Sequence, residues 1–283
     1  MRVFVAGASG ALGRALVPLL LARGDEVVAL ARSPEARRTV CELGATWVPG
    51  DLLRDTDLAD ALAGAQAAVH IATAIPRNMG DPDAWETTGR LRVEGTRRLL
   101  AACEAAGVGV YVQQSICMAY PDLGDAWIDE TTPLDVARRP WITGPVAAME
   151  AMVRAVPAER LKASILRGGA FVGPGTAQAA LIAALRAGKA LVPGQGRAFV
   201  SLVDVRDMAS AVAAAVTGAG AGMVLNVTDE PLRIGAYMDA LAERVGAPAP
   251  ARTGGPEPPS VRARSEAARR ALGWRPVHGV FPH

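Results

Sequence analysis

Glycines at positions 7, 10 and 13 follow directly on the apolar run Val3-Phe4-Val5-Ala6 and open the segment Ala11-Leu12-Gly13. No other feature narrows the chain's folding options as much. A buried strand that turns at once into an amphipathic helix needs a residue free to take a tight exit, which Gly7 supplies. At Gly10 the missing side chain leaves the backbone open to a bulky anion, and at Gly13 it lets the helix press close to the sheet. The helix start then presents unpaired N–H groups and the positive end of its dipole. A glycine triplet alone is weak, but this one lies between a strand and a helix, where a pyrophosphate cradle requires it. Gly7, Ser9, Gly10, Ala11, Leu12 and Gly13 are therefore the expected contacts to a dinucleotide.

The second apolar run ends Ala29-Leu30-Ala31-Arg32-Ser33. An acidic residue there would receive the ribose 2'-hydroxyl of NAD, whereas the Arg32 guanidinium can fork onto a 2'-phosphate, with Ser33, Arg37 and Arg38 nearby. NADP(H) is accordingly expected in preference to NAD(H). The alternative for these arginines is a solvated surface face.

Short β-branched runs alternate with alanine- and leucine-rich segments through Ala163 to Arg167, which predicts a doubly wound parallel sheet of Rossmann type, an α/β fold. Helices are expected from Val93 to Ala106 and from Val146 to Val156, and a strand from Gly109 to Gln113. After Arg167 a glycine-rich stretch breaks the rhythm. The expected division is a nucleotide-binding domain over 1–167 and 201–228, with a smaller, largely C-terminal substrate-binding region over 168–200 and 229–283. Pro248 to Ser260 reads as an extended loop and Ser265 to Leu272 as a last short helix.

Composition excludes several classes. A formal charge of +2 and dispersed arginines give a nucleic-acid partner no footprint. The apolar stretch Met208 to Val227 is broken by Gly218, Gly220 and Gly222, which fits a helix followed by a strand better than a membrane span. The strand at the very start leaves no room for a signal peptide, and Cys41, Cys103 and Cys117 read as reduced core thiols, so a cytoplasmic protein is expected. The abundance of alanine and arginine reads as the codon bias of a GC-rich bacterial genome. His70, His278 and His283 form no ligand spacing, so no metal is expected.

Further segments carry a family resemblance: Gly50-Asp51-Leu52-Leu53, Val69-His70-Ile71-Ala72-Thr73-Ala74, Gly95-Thr96-Arg97-Arg98-Leu99-Leu100 and Gln114-Ser115-Ile116-Cys117-Met118-Ala119-Tyr120. So do Asp129-Glu130-Thr131-Thr132-Pro133-Leu134, Leu166-Arg167-Gly168-Gly169 with Gly173-Pro174-Gly175, Val203-Asp204-Val205-Arg206-Asp207 and Leu272-Gly273-Trp274-Arg275-Pro276. In this order, along nearly the whole chain, they resemble the short-chain dehydrogenase/reductase superfamily, in its extended or atypical branch of epimerases and dehydratases. The resemblance implies that Asp51 and Leu52 touch the adenine, that Ala72, Thr73 and Ala74 line the ribose, and that Ser115 is the active-site serine. It implies as well that Asp204 and Asp207 belong to a loop anchoring the C-terminal half, with a catalytic carboxylate there as the alternative.

The same resemblance exposes a gap. Members that transfer hydride use a tyrosine as acid/base and a lysine four residues later that lowers the tyrosine's pKa. Counting back from Glu150 places Ile142 and Val146 at those positions, and no tyrosine in the chain has a lysine four residues on. The family's asparagine before Gly95-Thr96 is replaced by Arg92. Ser115 and Tyr120 are left as candidate catalytic groups; the alternatives are a serine that merely ends its strand and a structural tyrosine. Ser115, Trp141, Ile142 and Val146 are expected to line an apolar pocket for a small hydrophobic substrate. Two functions stay open: an NADP(H)-binding enzyme with atypical catalysis, either unorthodox carbonyl reduction or non-redox cyclisation, isomerisation or elimination, and a nucleotide-responsive regulatory protein without turnover. A homodimer is compatible with either.

Overall fold

The computed structural model describes residues 1–54, 57–76 and 80–282. The first half supplies β1 (Arg2–Ala6), α1 (Ala11–Ala22), β2 (Glu26–Ala31), α2 (Pro34–Glu42), β3 (Thr46–Pro49), α3 (Leu58–Ala61) and β4 (Ala67–His70). Next come α4 (Glu86–Arg90), a π-helical turn (Leu91–Gly95), α5 (Thr96–Ala106), β5 (Val110–Ile116), α6 (Pro140–Arg154) and β6 (Lys162–Gly168). The remainder is β7 (Ala170–Val172), α7 (Gln178–Arg186), β8 (Leu191–Val192), β9 (Phe199–Val200), β10 (Leu202–Asp204) and α8 (Val205–Ala215), then β11 (Val224–Val227), β12 (Leu232–Arg233), α9 (Ile234–Arg244), β13 (Ala251–Arg252) and α10 (Glu266–Leu272).

Seven strands form one sheet in the order β11-β6-β5-β4-β1-β2-β3, and every pairing is parallel. Both faces are covered, which is why its strands read as unbroken apolar runs. On one face Leu12, Leu16 and Leu20 of α1 and Met208 and Val212 of α8 pack against Val3, Val5 and Val69. On the other, Leu58, Leu99 and Val153 pack against Phe4, Ala68 and Tyr111. The chain order reverses between β1 and β4, so a crevice opens at their carboxyl ends, the place where sheets of this winding bind ligands.

A separate core joins Val172, Leu185, Val192 and Leu202 to Tyr237, Met238, Leu241 and Val280. Ala268 and Trp274, from the same end of the chain, pack into the sheet core, and the Trp274 indole donates to the Asp207 carbonyl at 2.8 Å.

Element boundaries differ from expectation in instructive places. The helix expected from Val93 runs from Glu86, because Thr87, Thr88 and Gly89 disguise two turns that the Thr88 hydroxyl pins to the Ala74 carbonyl at 2.5 Å. α6 begins at Pro140, whose fixed φ and missing N–H suit a first turn, rather than at Val146. Within the extended loop at 248–260, Ala251 and Arg252 pair with β8. Cys41 is exposed, contrary to its reading as a core thiol, because α2 turns only Val40 fully inward. Burial pushes the Cys103 thiol up to about 12 and raises Cys117 as well, which leaves both inert.

Candidate active site

The turn after β1 is held open by contacts a side chain would destroy. Gly7 has φ +104°, and a Cβ there would sit 2.7 Å from the Ala72 nitrogen; one at Gly13 would sit 2.3 Å from the Ala8 carbonyl oxygen. Gly10 is the N-cap of α1, with no side-chain cap and no acidic residue in the first turn. The Ala11, Leu12 and Gly13 amides of a twelve-residue helix thus face the crevice. Gly175 approaches Ala11 from the loop after β7, with its Cβ position 3.6 Å from the Ala11 methyl. These are the features that fit a dinucleotide pyrophosphate, and these residues would hold it.

Beside the turn, a groove of about 580 Å³ is lined by Ala31, Arg32, Ser33, Arg37, Arg38 and Trp47 among others. Arg32 is exposed at this groove, and Arg37 stacks on the Trp47 ring at 4.2 Å. Ser33 caps α2, accepting from the Ala36 amide at 3.2 Å, so its hydroxyl proton points elsewhere. Asp51 accepts from the Leu53 amide at 2.9 Å and shapes the loop after β3, while Leu52 is buried near Gly95. Ala72 and Ala74 are half-buried and Thr73 exposed at the exit of β4, beside Gly7.

The side chains singled out for catalysis join one polar cluster around Glu150 and Arg167. The Ser115 hydroxyl donates to Glu150 Oε1 at 2.7 Å and the residue is 1% exposed. Arg167 clamps the same carboxylate with two bonds, 2.9 Å from Nε and 2.6 Å from Nη2, and both partners are buried. Its Nη1 donates to the Tyr120 hydroxyl at 2.6 Å, and that hydroxyl donates to Asn226 Oδ1 at 2.8 Å. Tyr120 is fully buried, and burial pushes its phenol above its ordinary range. This network bolts α6 to β5, β6 and β11. Ser115 and Tyr120, the candidate catalytic groups, are both engaged in this polar cluster, which reaches the surface through Arg154, paired with Glu150 at 3.0 Å.

Alternation along β5 puts the next residue on the other side. Ile116 packs with Leu134, Ala119, Met149 and Val146, so the wall beneath α6 is aliphatic. Val146 and Ile142 are buried, and Trp141 is exposed. Sequence reasoning passed over Ile116; the signal was its position one residue after Ser115, on the opposite face of a strand. It also passed over Arg92, named only as a replacement, which lies buried in the π turn.

Asp204 and Asp207 act as anchors. Asp204 caps α8 and pairs with Arg206 at 2.8 Å; Asp207 accepts from the Val277 and His278 amides and from the His278 ring. Among the described residues no three potential metal ligands come together, and no helix is long and apolar enough to cross a membrane. His283 lies outside the described residues.

Fold and cradle together define a Rossmann-type nucleotide-binding protein. Residues 3–228 match the model of the NAD dependent epimerase/dehydratase family, and the chain belongs to that family, in the extended branch of the short-chain dehydrogenase/reductase superfamily. It is 35% identical over 301 aligned positions to 3-diazoavenalumate denitrifying reductase of a Streptomyces species, covering 98% of this chain and 97% of that protein. Among solved structures, it resembles the dTDP-glucose 4,6-dehydratase DesIV of Streptomyces venezuelae, solved with NAD bound. There the TM-score is 0.85 at 23% identity, over 99% of this chain and 93% of that one. A putative epimerase of Burkholderia cenocepacia is 25% identical with a TM-score of 0.78, over 98% and 93% of the two chains.

Proposed function

We propose that this protein is an NADP(H)-dependent reductase whose substrate accepts hydride and loses dinitrogen, with no proton delivered by the protein. The observation that carries the reading is a glycine turn shaped for a dinucleotide in a protein whose α6 buries Ile142 and Val146, with the Ser115 and Tyr120 hydroxyls engaged in buried hydrogen bonds. Reduction of a carbonyl creates an alkoxide that must be protonated, and losing a positioned acid/base costs roughly 10²-fold to 10⁴-fold. A carbon bearing a diazonium group makes no such demand. It gains a C–H bond as the C–N bond breaks, the C–N bonding pair leaves with N₂, and the charge balances without any proton transfer. When bound, the nicotinamide supplies the hydride and is oxidised. The role of the protein's own residues is then to hold the substrate beside the coenzyme and to exclude water, which aliphatic side chains such as Ile116 suit.

The similarity to a denitrifying reductase along nearly the whole chain supports this substrate class. Arg32, Arg37 and Arg38 around one groove favour the 2'-phosphorylated coenzyme. The second core, around residues 172–202 and 232–281, forms the substrate-binding region in this reading.

The test is to mix purified protein, NADPH deuterated at the transferable position and an aryl diazonium carboxylic acid. Deuterium at the carbon that carried nitrogen, formed faster than without enzyme, is the expected result. An isomerised product with NADPH unconsumed assigns the site to non-redox chemistry, and no product above the enzyme-free rate leaves a binding protein. The coenzyme assignment has its own variant: Arg32→Asp should weaken NADPH about tenfold or more, roughly 1.4 kcal/mol, and leave NADH unchanged.

A further inference from the structure

The two buried arginines of this part of the molecule differ in their partners. Arg167 is held by both oxygens of Glu150 and by Tyr120. Arg92 is 3% exposed and, among the described residues, has no hydrogen bond or salt bridge. Burial pulls its guanidinium down to about 10, and no carboxylate offsets this. An unpaired buried cation is expensive to keep and calls for an anion that comes and goes.

Its position says where that anion binds. Arg92 sits in the π turn between α4 and α5, an insertion of the kind that re-aims side chains at functional sites. Three residues before it, Gly89 faces Pro145 of α6, with its Cβ position 3.3 Å from the proline Cγ. Three residues after it, Gly95 faces His70 Nε2 at the end of β4, also at 3.3 Å. Thr88 ties the same segment to Ala74. The segment that carries Arg92 thus lies where α6, the end of β4 and the loop at 72–74 converge. The neighbouring His70 is buried with its Nε2 unpartnered, and burial pulls it down to about 4, so it stays neutral.

We infer that Arg92 is the oxyanion-binding residue of the site and takes the carboxylate of an organic-acid substrate in a forked pair of hydrogen bonds. The inference deepens the reductase reading by naming what its substrate must carry, yet it concerns binding alone. The phosphates of the dinucleotide are the other possible source of negative charge, but the α1 amides and the Arg32 groove already provide for them. A planar guanidinium matches a planar carboxylate, and desolvation strengthens the pair.

Cinnamate and cinnamamide serve as probes, measured by calorimetry and thermal shift on the NADPH-loaded protein without turnover. Wild type should bind cinnamate at least tenfold more tightly than the amide. Arg92→Met should abolish that preference, keep its NADPH affinity within twofold and melt no lower than wild type when unliganded, since a costly buried charge has been removed. Arg92→Lys, which keeps charge but loses the fork, should retain part of the preference. Equal binding of acid and amide by wild type overturns the inference without recourse to any variant. A tenfold loss of NADPH affinity in Arg92→Met overturns it in favour of a coenzyme contact, and a large fall in melting temperature with cinnamate binding retained makes Arg92 structural. Failure of the deuterium-transfer experiment leaves these binding results standing.

Discussion

The glycine turn after β1 and helix α6 depend on different parts of the chain. At the turn, function resides in backbone: Gly7, Gly10 and Gly13 act by having no side chain, and α1 contributes amides that every residue possesses. On α6 the family resemblance puts function in side chains and sets Ile142 and Val146 at the key positions, while Glu150 is buried against Arg167. A cradle made of main chain is inseparable from the fold, whereas chemistry made of side chains can be replaced two residues at a time. If that contrast is right, damage behind α6 should appear as lost stability, and damage at the turn as lost coenzyme.

The largest effect belongs to Glu150→Ala. Leaving Arg167 as an uncompensated buried cation should cost about 3 to 5 kcal/mol in denaturant unfolding, and adding Arg167→Met should recover most of it. A loss under about 1 kcal/mol would mean that the clamp does not hold the helix.

The next concerns pH. His70, ordinarily near 6.5, is held at about 4 by burial, so between those values the unfolded chain binds a proton that the folded chain refuses. Stability is intact above 6.5 and falls as pH drops toward 4, by on the order of 3 kcal/mol in all. His70→Gln should flatten that slope; an unchanged slope would place the titration elsewhere.

Tyr120→Phe strands an Arg167 N–H and leaves the Asn226 oxygen only the Cys117 thiol, 3.8 Å away. It should cost about 2 kcal/mol of stability while leaving turnover within about twofold, and a larger fall in kcat would restore the phenol to the chemistry. The smallest expected change is the most selective. A methyl on Gly10 meets nothing closer than the Gly7 carbonyl oxygen at 3.4 Å and needs no unusual backbone angle. Gly10→Ala should therefore unfold within about 0.5 kcal/mol of wild type but weaken NADPH by about 1.4 kcal/mol or more, tenfold in affinity.

Much of the fold was legible because glycine turns and strand-helix alternation are local signals that imply a doubly wound parallel sheet. The direction of Ser115 was not. β5 is buried on both faces, so its sequence lacks the apolar-polar alternation that would show which residues point toward α6. The start of α6 was hidden by Gly144 and Pro145, although Pro140 marked it. Arg92 was visible as a departure from the family pattern, but its burial depends on how the π turn meets α6 and β4, contacts made across long stretches of chain. Arginine in a chain this rich in it carries no sign of being inside.

The clamp between Glu150 and Arg167 also bears on how such a protein can change over generations. Because the helix is fastened through Glu150, volume-conserving exchanges at 116, 134, 142 and 146 need not unseat it. A lineage can retire one reaction and try another while still folding, and libraries confined to those four positions should stay soluble as they explore new substrates.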